Sequence, residues 1–200
     1  MSKKAEIFKY INTKICLLRK HSIQSSRGNA ELAWLRKGVG KKPGDIPKLW
    51  GILYEDMPDD FIRNISSPTR EEYSCYIALT LFAMHQQGKD IKEQCMHESG
   101  IGKNSISIGK AMRKLVNDLG EDSENRILQR LEALSTAKDI DEYAYYLRRI
   151  ICLLRNQSIP LDYGRLAFEL YLLQSDTQNS SKIKLQWARD FYKGGKENDN

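Results

Sequence analysis

The 200-residue sequence is poor in cysteine (four), histidine (three) and proline (five), and it lacks any long apolar run. Each shortage excludes a class of protein. The longest apolar stretch, Ile77-Ala78-Leu79-Thr80-Leu81-Phe82-Ala83-Met84, contains a threonine and is far shorter than the roughly 20 apolar residues a bilayer-spanning helix needs. The N-terminus carries Lys3, Lys4, Lys9 and Lys14 but no continuous apolar stretch with a small-residue cleavage site, so no signal peptide is expected. Cys16, Cys75, Cys95 and Cys152 form no C-x-x-C pair, and three of them sit in apolar stretches, where a free thiol behaves as a small hydrophobe. A reducing, cytoplasmic location without membrane contact is the expectation.

Chemistry-bearing constellations are also missing. His21, His85 and His97 are isolated from one another, and Cys95 with His97 has no second pair to complete a four-ligand site, so no metal is expected. Gly100-Ile101-Gly102-Lys103-Asn104-Ser105 imitates a phosphate loop, but the positions that need Gly and Ser/Thr hold His97 and Asn104, and no strand precedes it. It reads as a basic loop between helices. The sequence has no G-x-S-x-G elbow. No Arg lies four to six residues before a His, which excludes one type of helical ribonuclease. Asp59-Asp60 reads as loop, and Glu71-Glu72 as a helix start complementing the dipole. Neither an enzyme nor a cofactor is expected.

What the sequence does have is helical periodicity almost throughout. Ile7, Ile11, Ile15 and Leu18 share one face of a first helix. Residues 22–29 read as a loop, followed by a short helix from Ala30 to Leu35, a Gly/Pro break from Gly38 to Pro47, and a short helix from Lys48 to Tyr54. A helix over 68–87 has Ser67 as its expected N-cap, Pro68 at its first position and Gly88 as its stop. Residues 88–104 are irregular. Helices follow at 106–119, 123–135, 140–156, 162–174 and 181–193, with Asp139 and Glu142 forming a capping signal for the third of these. The expected fold is all-α: a bundle of eight or nine short helices in a single domain over 1–193. The stretch 88–104 is the place where two packed halves would join, and 194–200 is a polar tail.

Lys and Arg together number 32 against 26 Asp and Glu, a net charge of +6. The charge is +9 in residues 1–50, −2 in 51–120 and −1 in 121–200. Arg36-Lys37 and Lys41-Lys42 flank a glycine-rich loop. Lys110, Arg113 and Lys114 lie on one helix, Arg126 and Arg130 are four apart on one face, and Arg148-Arg149 sits mid-helix. Taken singly, each is an ordinary solvated cation. Together with the N-terminal excess they outline a phosphate-tracking surface. Tyr143 and Tyr163 are in core phase and do not count as base-stacking platforms.

A set of motifs then carries a resemblance. Ala30-Glu31-Leu32-Ala33-Trp34-Leu35-Arg36-Lys37-Gly38, followed by Lys48-Leu49-Trp50, resembles the N-terminal signature of the CasB family, the small subunit of the type I-E CRISPR surveillance complex Cascade. In the same order come the apolar helix from Ala78 to His85 and the Ile106-Ser107-Ile108-Gly109-Lys110-Ala111-Met112 helix start. Leu147-Arg148-Arg149-Ile150 with Ile159-Pro160-Leu161-Asp162-Tyr163 and the closing Trp187-Ala188-Arg189-Asp190-Phe191-Tyr192 complete the series. The resemblance covers about residues 28–193. Lys37 and Lys110 stand where the family more often has Arg, which keeps charge but loses bidentate phosphate geometry. Ser105 stands where some members have Gly.

The resemblance implies a non-catalytic nucleic-acid-binding subunit of an antiviral complex. Its implied partners are the backbone and large Cascade subunits, a second copy of itself, the CRISPR guide RNA, and the target and displaced DNA strands of an R-loop. Matching motifs place phosphate contacts at Arg36, Lys37, Lys110, Arg126, Arg148 and Arg149. Arg130 joins them because it shares a face with Arg126. Two rival readings are a helical DNA-binding regulator and a scaffold that touches only protein. The first needs a compact helix-turn-helix, and its nearest counterpart, 89–114, has a long irregular break.

Overall fold

The computed structural model describes residues 2–64, 66–100 and 102–193; the expected polar tail at 194–200 lies outside them. Helix α1 spans Lys3–Gln24, with the Ser2 hydroxyl accepting from the Ala5 N–H at 3.3 Å. Ile7, Ile11, Ile15 and Leu18 are all buried, as their spacing predicts. The loop expected at 22–29 is mostly helix instead: α1 runs on to Gln24, and α2 (Arg27–Lys37) starts after two serines. Composition misleads here for two reasons. The Ser22 hydroxyl turns back to the Leu18 carbonyl at 2.9 Å and so satisfies itself inside the helix. Gly28 lets the two helices meet at the bend, where a Cβ would lie 2.2 Å from Ser22 Oγ and 2.5 Å from the Leu18 carbonyl oxygen.

After α2 the chain turns through Gly40 and Gly44, whose φ of +78° and +96° suit glycine. A single 3-10 turn, Pro47–Leu49, leads into the short α3 (Trp50–Tyr54). Helix α4 (Arg70–His85) begins later than expected, because Thr69 rather than Ser67 is its N-cap. Thr69 and Glu72 form a reciprocal capping box at 3.1 and 3.4 Å, and no such partner helps Ser67. The spacing of Tyr73, Ile77, Leu81 and Met84 predicts one apolar face for α4. The structure buries 14 of its 16 residues, because α1, α2, α7 and α8 all pack on it.

The second half contains α5 (Ile108–Leu119), α6 (Glu124–Ser135), α7 (Ile140–Asn156), α8 (Tyr163–Leu173) and α9 (Thr177–Lys193). Ser107, Asp139 and Asp162 cap α5, α7 and α8 by accepting from the N–H groups of Lys110, Glu142 and Arg165. α9 starts four residues before its expected position. Gly109 brings α5 against the backbone of α9, where a Cβ would sit 2.1 Å from the Trp187 carbonyl oxygen. Among the described residues there are nine α-helices and no strand, only one isolated bridge between His97 and Leu161. The fold is all-α, and one hydrophobic core draws residues from every helix.

The irregular stretch 88–104 is held by individual side chains. The Gln86 amide donates to the carbonyls of Lys89 and Gln94 and accepts from the Met96 N–H. Asp162 holds Gly100 and Ser105 at 3.2 and 2.7 Å, which ties the ends of the phosphate-loop imitation to the start of α8.

Two histidines give the core a pH dependence. Burial pulls His85 down to about 3, and burial also lowers His97. The unfolded chain therefore binds protons that the folded one refuses. Stability contributed by keeping these rings neutral is fully present above the usual value of 6.5 and is lost as pH falls below it. Chemical denaturation at pH 7 and pH 5 should show a loss on the order of 2 kcal/mol from His85 alone. A flat profile across that interval would contradict the buried, neutral assignment.

Candidate nucleic-acid interface

The fold sorts the basic side chains into two kinds. Some are neutralised internally. Arg113 bonds Glu124 at 2.9 Å and Glu121 at 3.1 Å, although its phase on α5 suggested a free surface cation. Arg165 bonds Glu169 at 2.7 Å and Asp190 at 2.9 Å. Part of the N-terminal excess is answered across space by acids of the next segment. Lys14 reaches Asp56 at 3.0 Å, and Lys3 lies near Asp60 and Glu71 as well as its neighbour Glu6. The +9 of residues 1–50 is thus smaller at the surface than along the chain.

The other kind keeps its charge open. Among the described residues, no ion pair holds Arg36, Lys37, Arg126, Arg130, Arg148 or Arg149. Arg36 and Lys37 end α2, just before the glycine turn. Arg36 is partly buried, and that burial pulls its guanidinium pKa down. Lys37 is exposed and lays its ammonium 4.0 Å from the centre of the Trp34 ring. Arg148 and Arg149 are exposed on α7, pointing away from the buried Leu147 and Ile150. Arg148 Nη1 comes within 4.0 Å of where a Cβ on Gly40 would sit. The structure therefore brings the turn after α2 beside the middle of α7, joining two motifs that lie about a hundred residues apart in sequence.

The remaining three expected residues are placed elsewhere. Lys110, in the first turn of α5, lines a cleft of about 940 Å³ between α1, α5, α8 and α9, together with Lys4, Arg165 and Lys193. Arg126 is exposed on α6. Arg130 lies one turn further along α6 and is half-buried, its Nε enclosed without a hydrogen-bond partner among the described residues. Sequence reasoning left Lys4 and Lys193 out of the expected set. No motif marks them, and only the fold places them in the cleft beside Lys110. Among the described residues, no helix is long and apolar enough to cross a membrane, and no group of three His, Cys, Asp or Glu side chains could hold a metal ion.

Fold and side chains together define a small all-helical protein bearing several cations that no acid among the described residues pairs. The family model described as CRISPR-associated protein Cse2 matches residues 31–192, and the chain belongs to that family. Among solved structures it is similar to CasB from Thermobifida fusca, at 28% identity and a TM-score of 0.74, covering 94% of this chain and 98% of that one. It is also similar to M. ruber CasB, at 22% identity and a TM-score of 0.62, covering 90% and 95%. A chain of a structure described as a CRISPR RNA-guided surveillance complex shares the fold, at 18% identity and a TM-score of 0.68, covering 96% of each. No curated protein matches by sequence.

Proposed function

We propose that this chain is a small subunit of a CRISPR surveillance complex and that it holds nucleic-acid backbone without reading sequence. The observation that carries this reading is the contrast just described. Arg113 and Arg165 are spent on internal carboxylates, whereas among the described residues no ion pair holds Arg36, Lys37, Arg126, Arg130, Arg148 or Arg149. Lys37, Arg126, Arg148 and Arg149 are exposed, and Arg36 and Arg130 are partly so; such cations suit a polyanion, and contacts to phosphate position a strand without specifying it. Lys110, which lines the cleft, is a further phosphate contact in this reading. The partners in this reading are the larger subunits, a second copy, the guide RNA, and the target and displaced DNA strands.

Such contacts matter because exchanging a DNA duplex for a guide heteroduplex is nearly balanced in free energy, so modest backbone binding tips it. The chain itself contributes charge and placement to this exchange and makes or breaks no covalent bond. Single-strand binding by the full chain should weaken with salt. If about five phosphates are neutralised, the log–log slope is near −3.5. A flat salt response, or a footprint showing sequence preference, would sink the reading. Protein that ignores DNA even at low salt would instead favour a scaffold touching only protein.

A further inference from the structure

We propose that Tyr145 is a stacking platform for one unpaired base of a single-stranded nucleic acid, set beside the phosphate contacts of Arg148 and Arg149. This rests on the backbone-binding reading above and adds a contact of different chemistry to it. α7 carries three tyrosines in its first two turns, and they are used differently. Tyr143 is 2% exposed and meets the Trp187 ring edge-on at 6.5 Å, as a core residue should. Tyr146 is half-buried against the core. Tyr145 is 56% exposed.

An exposed tyrosine alone would mean little, but this ring is held in place. The Arg149 Nη1 donates to its hydroxyl at 3.2 Å, and the guanidinium carbon lies 5.7 Å from the ring centre. The Tyr146 ring meets it edge-on at 5.3 Å. A ring already fixed on a regular helix loses little freedom on binding. Its neighbours supply the rest of the site, since Arg148 and Arg149 are open cations within one turn and Arg148 reaches the turn at Gly40. A base on the ring and its phosphates on the two arginines make the usual combination for single-strand binding, which tolerates any sequence because every base has a π-face.

The test uses the full chain and an oligothymidylate carrying 5-iodouracil at successive positions, at low salt. Irradiation should crosslink the oligonucleotide to Tyr145, located by mass spectrometry. Tyr145→Ala should lose roughly five- to tenfold in affinity with an unchanged salt slope, and Tyr145→Phe, which keeps the π-face but lacks the hydroxyl that Arg149 holds, should retain most of the affinity. Tyr145→Leu should behave like Tyr145→Ala, since bulk without a π-face does not replace the ring. An oligonucleotide that binds with the expected salt dependence, yet crosslinks elsewhere and is indifferent to Tyr145→Ala, overturns the platform and leaves the phosphate reading standing. Absence of binding at low salt overturns both.

Discussion

Arg165→Ala is expected to destabilise the protein by about 3–5 kcal/mol, the usual cost of removing one partner from a buried ion pair. Arg165 sits between α8, α9 and the loop before α5. It bonds Glu169 and Asp190 through two nitrogens, and a third donates to the Ser105 carbonyl at 3.3 Å. Glu169 also accepts from the Trp187 indole at 2.7 Å, and Asp190 accepts from the Ser107 hydroxyl at 2.5 Å. Burial already pushes the Glu169 carboxyl up even with Arg165 beside it. Without the arginine its folded-state value would rise further. The variant should then be least destabilised at low pH, where Glu169 is protonated, and most destabilised at neutral pH. Urea denaturation at two pH values checks the sign. Arg165→Met combined with Glu169→Gln should recover part of the loss, because the uncompensated charge is gone.

Arg148→Ala with Arg149→Ala should act oppositely, with a large effect on binding and almost none on folding. Each charge-assisted hydrogen bond to phosphate contributes about 1.5–3 kcal/mol, so the pair should cost the assembled complex at least about a hundredfold in affinity for target DNA. Both side chains are exposed, and alanine is a better helix former than arginine, so thermal stability should stay unchanged or rise slightly. R-loop stability equal to the parent's would remove these two residues from the interface. Arg113→Ala is the informative contrast, since its guanidinium is committed to Glu121 and Glu124.

The helices were legible where amphipathic spacing governs them. Ile7 to Leu18 and Asp139 as a cap both follow from local chemistry. Side-chain contacts outside that spacing were not read, whether a few residues apart or across the chain. Gly28 and Ser22 close a corner that composition reads as a loop. Thr69 displaces Ser67 as a cap because Glu72 is in reach to reciprocate. Charge shows the same limit. Segment sums put the surplus in residues 1–50, but Asp56, Asp60 and Glu71 fold back onto Lys14 and Lys3. Likewise, nothing in the spacing of Arg113 foretells two glutamates across the following turn. The family motifs pointed to Arg36, Lys37, Arg148 and Arg149 separately. Only the fold shows that Arg148 lies beside the turn that follows Arg36 and Lys37.

Helix α4 has almost no side open to water, and this sets how the molecule comes apart. Its backbone amides lie inside a sleeve of α1, α2, α7 and α8, so no local fraying of one neighbour should release them all. Their hydrogen exchange would report the opening of the whole chain, while amides at the turn after α2 would report only that turn. Exchange along α4 therefore offers an internal standard within one molecule. A substitution on the cationic surface that alters binding but leaves α4 exchange untouched has changed the contact and not the fold.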